Sequence, residues 1–249
     1  MKKRCKMAYS EINLGIVCPM ANESENAELF VRDVLQKCRV FRFNSINFYA
    51  ICDNASNDNT LNILYKLSND KSELNVVFAP ENRCVVDAYV RGYREAINAE
   101  CDWILEIDAE FTHNPGDISK FFTKMSDGYD CVFGSRYLGD SKVIKNSISR
   151  SVISRGGSIL TNLLIGTKLN DMTSGFELFT RRSLESILDR GIFSKGPFFQ
   201  TEIKTIAHDF KIAEVPISYI SGSRKINVAE IRDALKNLLH LFLRRLNLS

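Results

Sequence analysis

The chain has no apolar run approaching the roughly 20 residues a bilayer crossing needs. No apolar stretch of signal-peptide length follows its basic first six residues either. Its seven cysteines (Cys5, Cys18, Cys38, Cys52, Cys84, Cys101 and Cys131) are odd in number and include no C-x-x-C pair. That argues against a disulfide framework and against a zinc site. Cys18, Cys52 and Cys131 sit inside apolar runs, as buried free thiols do. The cysteine usage predicts a reducing compartment. Net charge is only +3 over 249 residues, too slight to argue for nucleic acid. One local absence is more telling. Residues 141–170 contain no acid, yet Lys142, Lys145, Arg150, Arg155 and Lys168 lie there. Such a stretch favours an anionic ligand or an anionic membrane surface, or is simply a solvated basic face.

What is present is an ordinary soluble composition, 45% hydrophobic and 25% charged. Apolar runs at 14–18, 46–52, 74–79, 103–107 and 131–134 read as strands. Helical patterns at 23–38, 59–67, 85–99 and 115–125 fall between them. That alternation predicts an α/β fold with a doubly wound, mostly parallel sheet flanked by helices. In such sheets ligands bind beyond the carboxyl ends of the strands. Four polar clusters fall at those ends: Asn22-Glu23, Asp53-Asn54, Asp108 with Glu110, and Ser135-Arg136. The third is the most informative. A buried-strand pattern, Ile104-Leu-Glu-Ile, runs straight into two carboxylates one residue apart. Carboxylate oxygens suit Mg²⁺ or Mn²⁺, ions that keep waters and phosphate oxygens in their remaining positions, so a nucleotide-diphosphate ligand is expected.

Past Arg136 the rhythm changes to a basic, serine-rich segment, a short strand after Gly175, helices at 181–189 and 198–208, and a strand at 211–219. In the tail, Ile231, Leu235, Leu238, Leu239 and Phe242 recur at helical spacing beside Arg232, Lys236, Arg244 and Arg245. A basic amphipathic helix of this kind lies on a membrane interface, or docks on the protein's own core or a dimer partner. The chain thus divides into an α/β domain over 10–222 and a C-terminal helix over 223–249.

Motifs in order extend this reading. Cys18-Pro19-Met-Ala-Asn22-Glu23 resembles P-x-Y-N-E, with Ala21 in place of tyrosine. Cys52-Asp53-Asn54-Ala-Ser56-Asn-Asp58-Asn-Thr60 resembles V-D-D-x-S-x-D-G-T, and Asp108-Ala-Glu110 stands for D-x-D. Gly134-Ser135-Arg136-Tyr137, Arg150-Ser-Val-Ile-Ser154-Arg155-Gly156, Asp171-Met-Thr-Ser-Gly175-Phe176, Phe198-Phe-Gln200-Thr-Glu202 and Glu214-Val-Pro216 follow. In this order the motifs resemble family 2 glycosyltransferases of the GT-A fold, and within them the dolichyl- or polyprenyl-phosphate mannose synthases, over about 14–242.

The resemblance implies an inverting hexosyltransferase that moves a sugar, mannose favoured, from a nucleotide-diphosphate donor to a polyprenyl or dolichyl phosphate. GDP-mannose is the favoured donor and a UDP-sugar the other. It implies nucleotide-sugar contacts from Pro19, Asn22, Glu23, Asp53, Asn82, Asp87, Asp108, Arg224 and Lys225, with Asp53 on the base. Asp108 and Glu110 would hold Mg²⁺ or Mn²⁺. Arg136, Arg150 and Ser154 would bind the acceptor phosphate, and with Asp108 they are the implied catalytic set. Localisation would be peripheral, at the cytoplasmic face, through the membrane or a membrane subunit. Relatives that attack with a sugar hydroxyl carry an E-D base, whereas here the region reads Gln200-Thr201-Glu202, and an ionised phosphate needs no base. Glu202 therefore stands as a structural residue or a base, and His113 as a structural residue or an aid to the metal site. In place of the glycines of N-x-G-L-G-x-A, Asn82-Arg83-Cys84-Val85-Val86 carries Cys84 and Val86. Two alternatives remain: a cytosolic enzyme with a hydroxyl acceptor, and a nucleotide-sugar binding module without turnover.

Overall fold

A computed structural model describes residues 8–144, 148–220 and 228–246. Its centre is a seven-stranded sheet built from β1 (Asn13–Pro19), β2 (Ser45–Cys52), β3 (Leu74–Phe78), β4 (Trp103–Glu106), β5 (Cys131–Ser135), β7 (Glu177–Thr180) and β8 (Ile212–Pro216). The order is β3-β2-β1-β4-β7-β5-β8, and β7 runs antiparallel to both neighbours in an otherwise parallel sheet. A short pair, β6 (Lys142–Ile144) with β9 (Ser218–Ile220), stands apart. The predicted single strand at 211–219 is thus two strands in two sheets, divided at Ile217.

Alternation along each strand feeds two cores, as a period of two requires. Leu14, Ile16 and Cys18 of β1 face α1 (Ala27–Arg39), α2 (Thr60–Asp70) and α4 (Ile118–Ser126). Val17 and the β4 residue Ile104 face α3 (Val85–Asn98), α6 (Arg181–Asp189) and α7 (Phe199–Ile206). Gly92 lets α3 lie directly on the sheet, because a Cβ there would run into Val17. The first helix begins four residues later than the pattern suggested, since Asn22 takes a left-handed φ of 60°.

The basic, serine-rich segment folds as the 18-residue helix α5 (Ile148–Ile165). The C-terminal helix α8 (Val228–Arg245) packs against it. Leu238 and Leu241 join Ile165 in a small core with Leu164, Phe193, Phe198 and Phe242 at its edge. One face of the tail therefore does dock on the protein itself. Gly166 ends α5 at φ 76°, and Arg245 lies beside it, a cation at a helix C-terminus.

In the strand order, β1 connects outward to β2 and β3 on one side, while β4 lies on its other side. The crevice beyond β1 and β4 is the topological switch point, where ligands bind in open α/β sheets. Three of the four polar clusters border it.

Candidate active site

From the end of β4 the chain passes Ile107 to Asp108, then turns sharply, with Phe111 at a left-handed φ of 51°. Asp108 lies at the cleft floor with 41% of its side chain open, and Glu110 is exposed on the turn. Burial lifts the Asp108 carboxyl to about 6; a hydrogen bond from Tyr89 opposes this and the Glu110 charge adds to it. Glu23 across the cleft is pushed to about 7 by burial, then by the charges of Glu110, Asp58 and Asp108. These acids repel one another across the gap. Among the described residues no three His, Cys, Asp or Glu side chains converge. A hard ion that takes most of its oxygens from water and phosphate needs only the pair present, so the residues fit Mg²⁺ or Mn²⁺.

His113 lies behind the pair, 2% exposed, with Nδ1 3.4 Å from Asp108 Oδ2 and rings of Phe176 and Tyr219 on its faces. Burial, then the charge of Arg136, holds it down to about 3, so it is a neutral ring. Neither ring nitrogen finds a hydrogen-bond partner among the described residues.

Beyond β1 and β2, Asn22 stitches the turn after one strand to the turn after the other. Its Nδ2 donates to the Ala55 carbonyl at 3.0 Å, its Oδ1 accepts from Asn57 N–H at 2.8 Å, and its own N–H donates to Ser56 Oγ at 3.1 Å. Glu23 N–H donates to Thr60 Oγ1 at 2.7 Å, and Ser24 N–H to Asp58 at 2.9 Å. The hydrogen bonds from Thr60 to Asp58, chiefly, hold its carboxyl far below the usual range. Asn22 therefore braces two loops and caps no helix. Asp53 accepts from Ala55 N–H at 2.9 Å, closing its own turn. It also borders a pocket of about 290 Å³ lined by Pro19, Ile51, Asn82, Cys84, Val85 and Ala88, among others. Cys84 needs no glycine, for its φ of −157° is extended backbone, and Val86 joins the core beneath α3. Asp87 does not line the pocket. It accepts from Arg83 N–H at 2.9 Å in the first turn of α3. Arg224 and Lys225 fall outside the described residues.

The far wall is organised by Arg136. Its Nε donates to Asp171 Oδ2 at 2.7 Å, and Nη2 reaches Asp171 Oδ1 at 2.8 Å, Ser154 Oγ at 2.9 Å and Thr173 Oγ1 at 2.5 Å. Although burial opposes it, the Arg136 charge holds the Asp171 carboxyl down to about 2. Glu214 in turn accepts from Asp171 N–H at 3.0 Å. Arg136 and Ser154 are thus together as expected, but most of the guanidinium fork is already taken by Asp171, a partner the motif reading did not assign. Arg150 lies one turn before Ser154 on α5; its side chain is outside the described residues.

Glu202 is fully buried and turned from the cleft, accepting from Phe193 N–H at 2.9 Å and Ser194 N–H at 3.0 Å. It fastens a loop. The residue of that segment that reaches the floor is Gln200. A Cβ added at Gly175 would stand 2.8 Å from Gln200 Nε2 and 3.4 Å from Asp108 Oδ2.

The glycosyl transferase family 2 profile matches residues 16–188, which span the acid pair, the pocket and the Arg136 wall. The chain belongs to glycosyl transferase family 2. It is 26% identical over 226 residues to the polyprenol monophosphomannose synthase of Mycolicibacterium smegmatis, covering 88% of this chain and 83% of that protein. It is also 26% identical over 230 residues to the undecaprenyl-phosphate mannosyltransferase of Micrococcus luteus, covering 89% and 90%. In fold it is similar to the glucosyl-3-phosphoglycerate synthase of Mycobacterium tuberculosis solved with Mn²⁺, UDP and phosphoglyceric acid. The TM-score is 0.65 at 15% identity, covering 96% of this chain and 80% of that one. A family 2 enzyme of this fold is what the motif order led one to expect. The motifs contain Asp171, Thr173 and Gly175 but give no role to these residues or to Tyr89. The i, i+4 spacing of Tyr89 and Tyr93 was the available signal.

Proposed function

We propose that this chain is a cation-dependent, inverting transferase that moves a sugar, mannose before others, from a nucleotide diphosphate to a polyprenyl phosphate at the cytoplasmic face of a membrane. The observation that carries this is the floor opposite Asp108. Where hydroxyl-accepting members of the family place a carboxylate base, this chain has the amide of Gln200, held on Glu106 beneath the floor, and Glu202 points inward to two backbone N–H groups. An acceptor that needs no base is one already ionised, and a phosphate monoester, with a second pKa of about 6, is ionised near neutrality.

The pocket beside Pro19 and Asn82 suits a flat base, with Asp53 at its edge to accept from a ring N–H. GDP-mannose is preferred because the named relatives are mannose enzymes; a UDP-sugar is the competing donor, as the fold neighbour holds UDP. Asp108 and Glu110 would hold Mg²⁺ or Mn²⁺, which when bound offsets the negative charge growing on the leaving diphosphate. Arg136, anchored by Asp171, and Ser154 beside it form a cationic ledge for the acceptor phosphate, with Arg150 on the same helix. A phosphate oxygen then attacks the anomeric carbon as the bond to the diphosphate breaks, so an α-linked donor yields a β-linked lipid-phosphate sugar. Arg224 and Lys225, outside the described residues, are assigned to the phosphates on resemblance. Exposed Val152, Ile159 and Leu163 on α5 and Leu235 and Leu239 on α8 lie among Arg155, Arg232 and Lys236, which fits an anionic lipid surface.

Labelled GDP-mannose and undecaprenyl or dolichyl phosphate with Mn²⁺ should carry label into the organic phase. Arg150→Ala should lower kcat/KM by roughly 10- to 100-fold, the worth of a charged phosphate contact, while Glu202→Gln keeps most activity. No transfer to lipid phosphate from any common nucleotide sugar, or the reverse pair of mutant results, would reject the reading in favour of a hydroxyl acceptor or a non-catalytic binder.

A further inference from the structure

Glu106 and Asp108 are two residues apart at the end of β4, on the face covered by α3 and α7. Tyr89 and Tyr93 are one turn apart on α3. Four residues of helix rise about 6 Å and two residues of strand about 6.6 Å, so the two ladders match rung for rung. The hydroxyls meet the acids accordingly: Tyr89 Oη donates to Asp108 Oδ1, and Tyr93 Oη donates to Glu106 Oε2. Gln200 Nε2 holds the other Glu106 oxygen from α7. Both tyrosines are at most 3% exposed. The Tyr89 ring is pinned between Phe199, at 4.9 Å, and Tyr93, at 6.3 Å, so its hydroxyl has one direction to point.

We infer that Tyr89 is the positioning residue of the cation-binding carboxylate: by occupying Asp108 Oδ1 it fixes the carboxylate and leaves Oδ2 for the ion. The inference rests on the cation reading given under the proposed function. Ligating carboxylates are ordinarily oriented by such outer hydrogen bonds, and losing one costs about 10- to 100-fold in metal affinity. Tyr89 adds something a bare carboxylate turn would lack. It stands on the same helix whose first turns, Val85 and Ala88, line the nucleotide pocket. The helix that borders the base thus also fixes the metal ligand.

The test is Mn²⁺ binding, read by the electron paramagnetic resonance of the free ion. It is done on the full chain with whichever of GDP or UDP wild type binds more tightly. Tyr89→Phe keeps both ring contacts and removes only the donor. It should raise the Mn²⁺ dissociation constant about 10- to 100-fold and leave nucleotide affinity in EDTA unchanged. Tyr93→Phe, which deletes the lower rung, should keep Mn²⁺ affinity near that of wild type, because its hydroxyl bonds Glu106 and not Asp108. In an Asp108→Asn background Tyr89→Phe should have no further effect. Equal Mn²⁺ affinity in Tyr89→Phe and wild type would overturn the inference alone. Equal weakening by both tyrosine variants would also overturn it, since that reports a loosened helix. Absence of Mn²⁺ binding by wild type would overturn the cation reading and the inference together.

Discussion

At the scale of single residues the site depends on small separations around Asp108. Gly175 is the tightest of them: a methyl group there would press on Gln200 Nε2 at 2.8 Å and reach Asp108 Oδ2 at 3.4 Å. Displacing a group at the reacting centre by about an ångström can cost about 100-fold in rate. Here the methyl displaces the Gln200 amide and only touches Asp108, so Gly175→Ala should lower kcat by less than that, with the protein still folded by circular dichroism; near-normal turnover would mean the floor yields freely. The orientation of Glu202 matters as much as its identity. Its acidic side chain sat in the right motif for a base, but two N–H groups from the 193–194 loop consume it. A sequence lists a carboxylate without saying which way it faces.

At the scale of elements, the wall opposite the pocket beside Pro19 and Asn82 is tied together by one buried ion pair. Arg136 at the end of β5 joins Asp171, while Ser154 and Thr173 share its Nη2. The consequence for stability has a definite sign. Asp171 is held at about 2 in the folded protein, below about 3.9 in an unfolded chain. A depressed carboxyl contributes stability that is complete above its unfolded pKa and lost as pH falls through the folded one. Its share is about 2 kcal/mol above pH ~5, fading between about pH 4 and 2. Urea unfolding of wild type across that interval should fall more steeply than that of Arg136→Leu; parallel slopes would show that the pair contributes nothing. Only part of this element was legible. The acid-free stretch announced a basic wall, yet serine- and glycine-containing sequence hid an 18-residue helix, because helix propensity there is weak and packing against α8 decides the matter.

At the scale of the whole molecule, α8 does two things at once. Leu238 and Leu241 are buried against α5, whereas Leu235 at 52% exposed and Leu239 at 56% exposed face outward beside Arg232 and Lys236. The outward face is the one proposed to meet lipid. Leu235→Glu with Leu239→Glu should sharply reduce co-sedimentation with vesicles containing anionic phospholipid. Transfer to a short, water-soluble prenyl phosphate should remain. Unchanged sedimentation would remove α8 from the membrane contact.

By itself the sequence determined the alternating architecture, the location of the acid pair at a strand end and the family. Periodicity and short motifs are local, and the chemistry of a carboxylate or guanidinium travels with its residue type. Tertiary structure alone decided that β7 enters the sheet antiparallel, that Asp171 holds Arg136, that Glu202 faces inward, and that Tyr89 meets Asp108. Each of those depends on residues 8 to 77 positions apart being brought within hydrogen-bonding or packing distance. No local pattern encodes such a meeting, because it is set by how helices seat on the sheet.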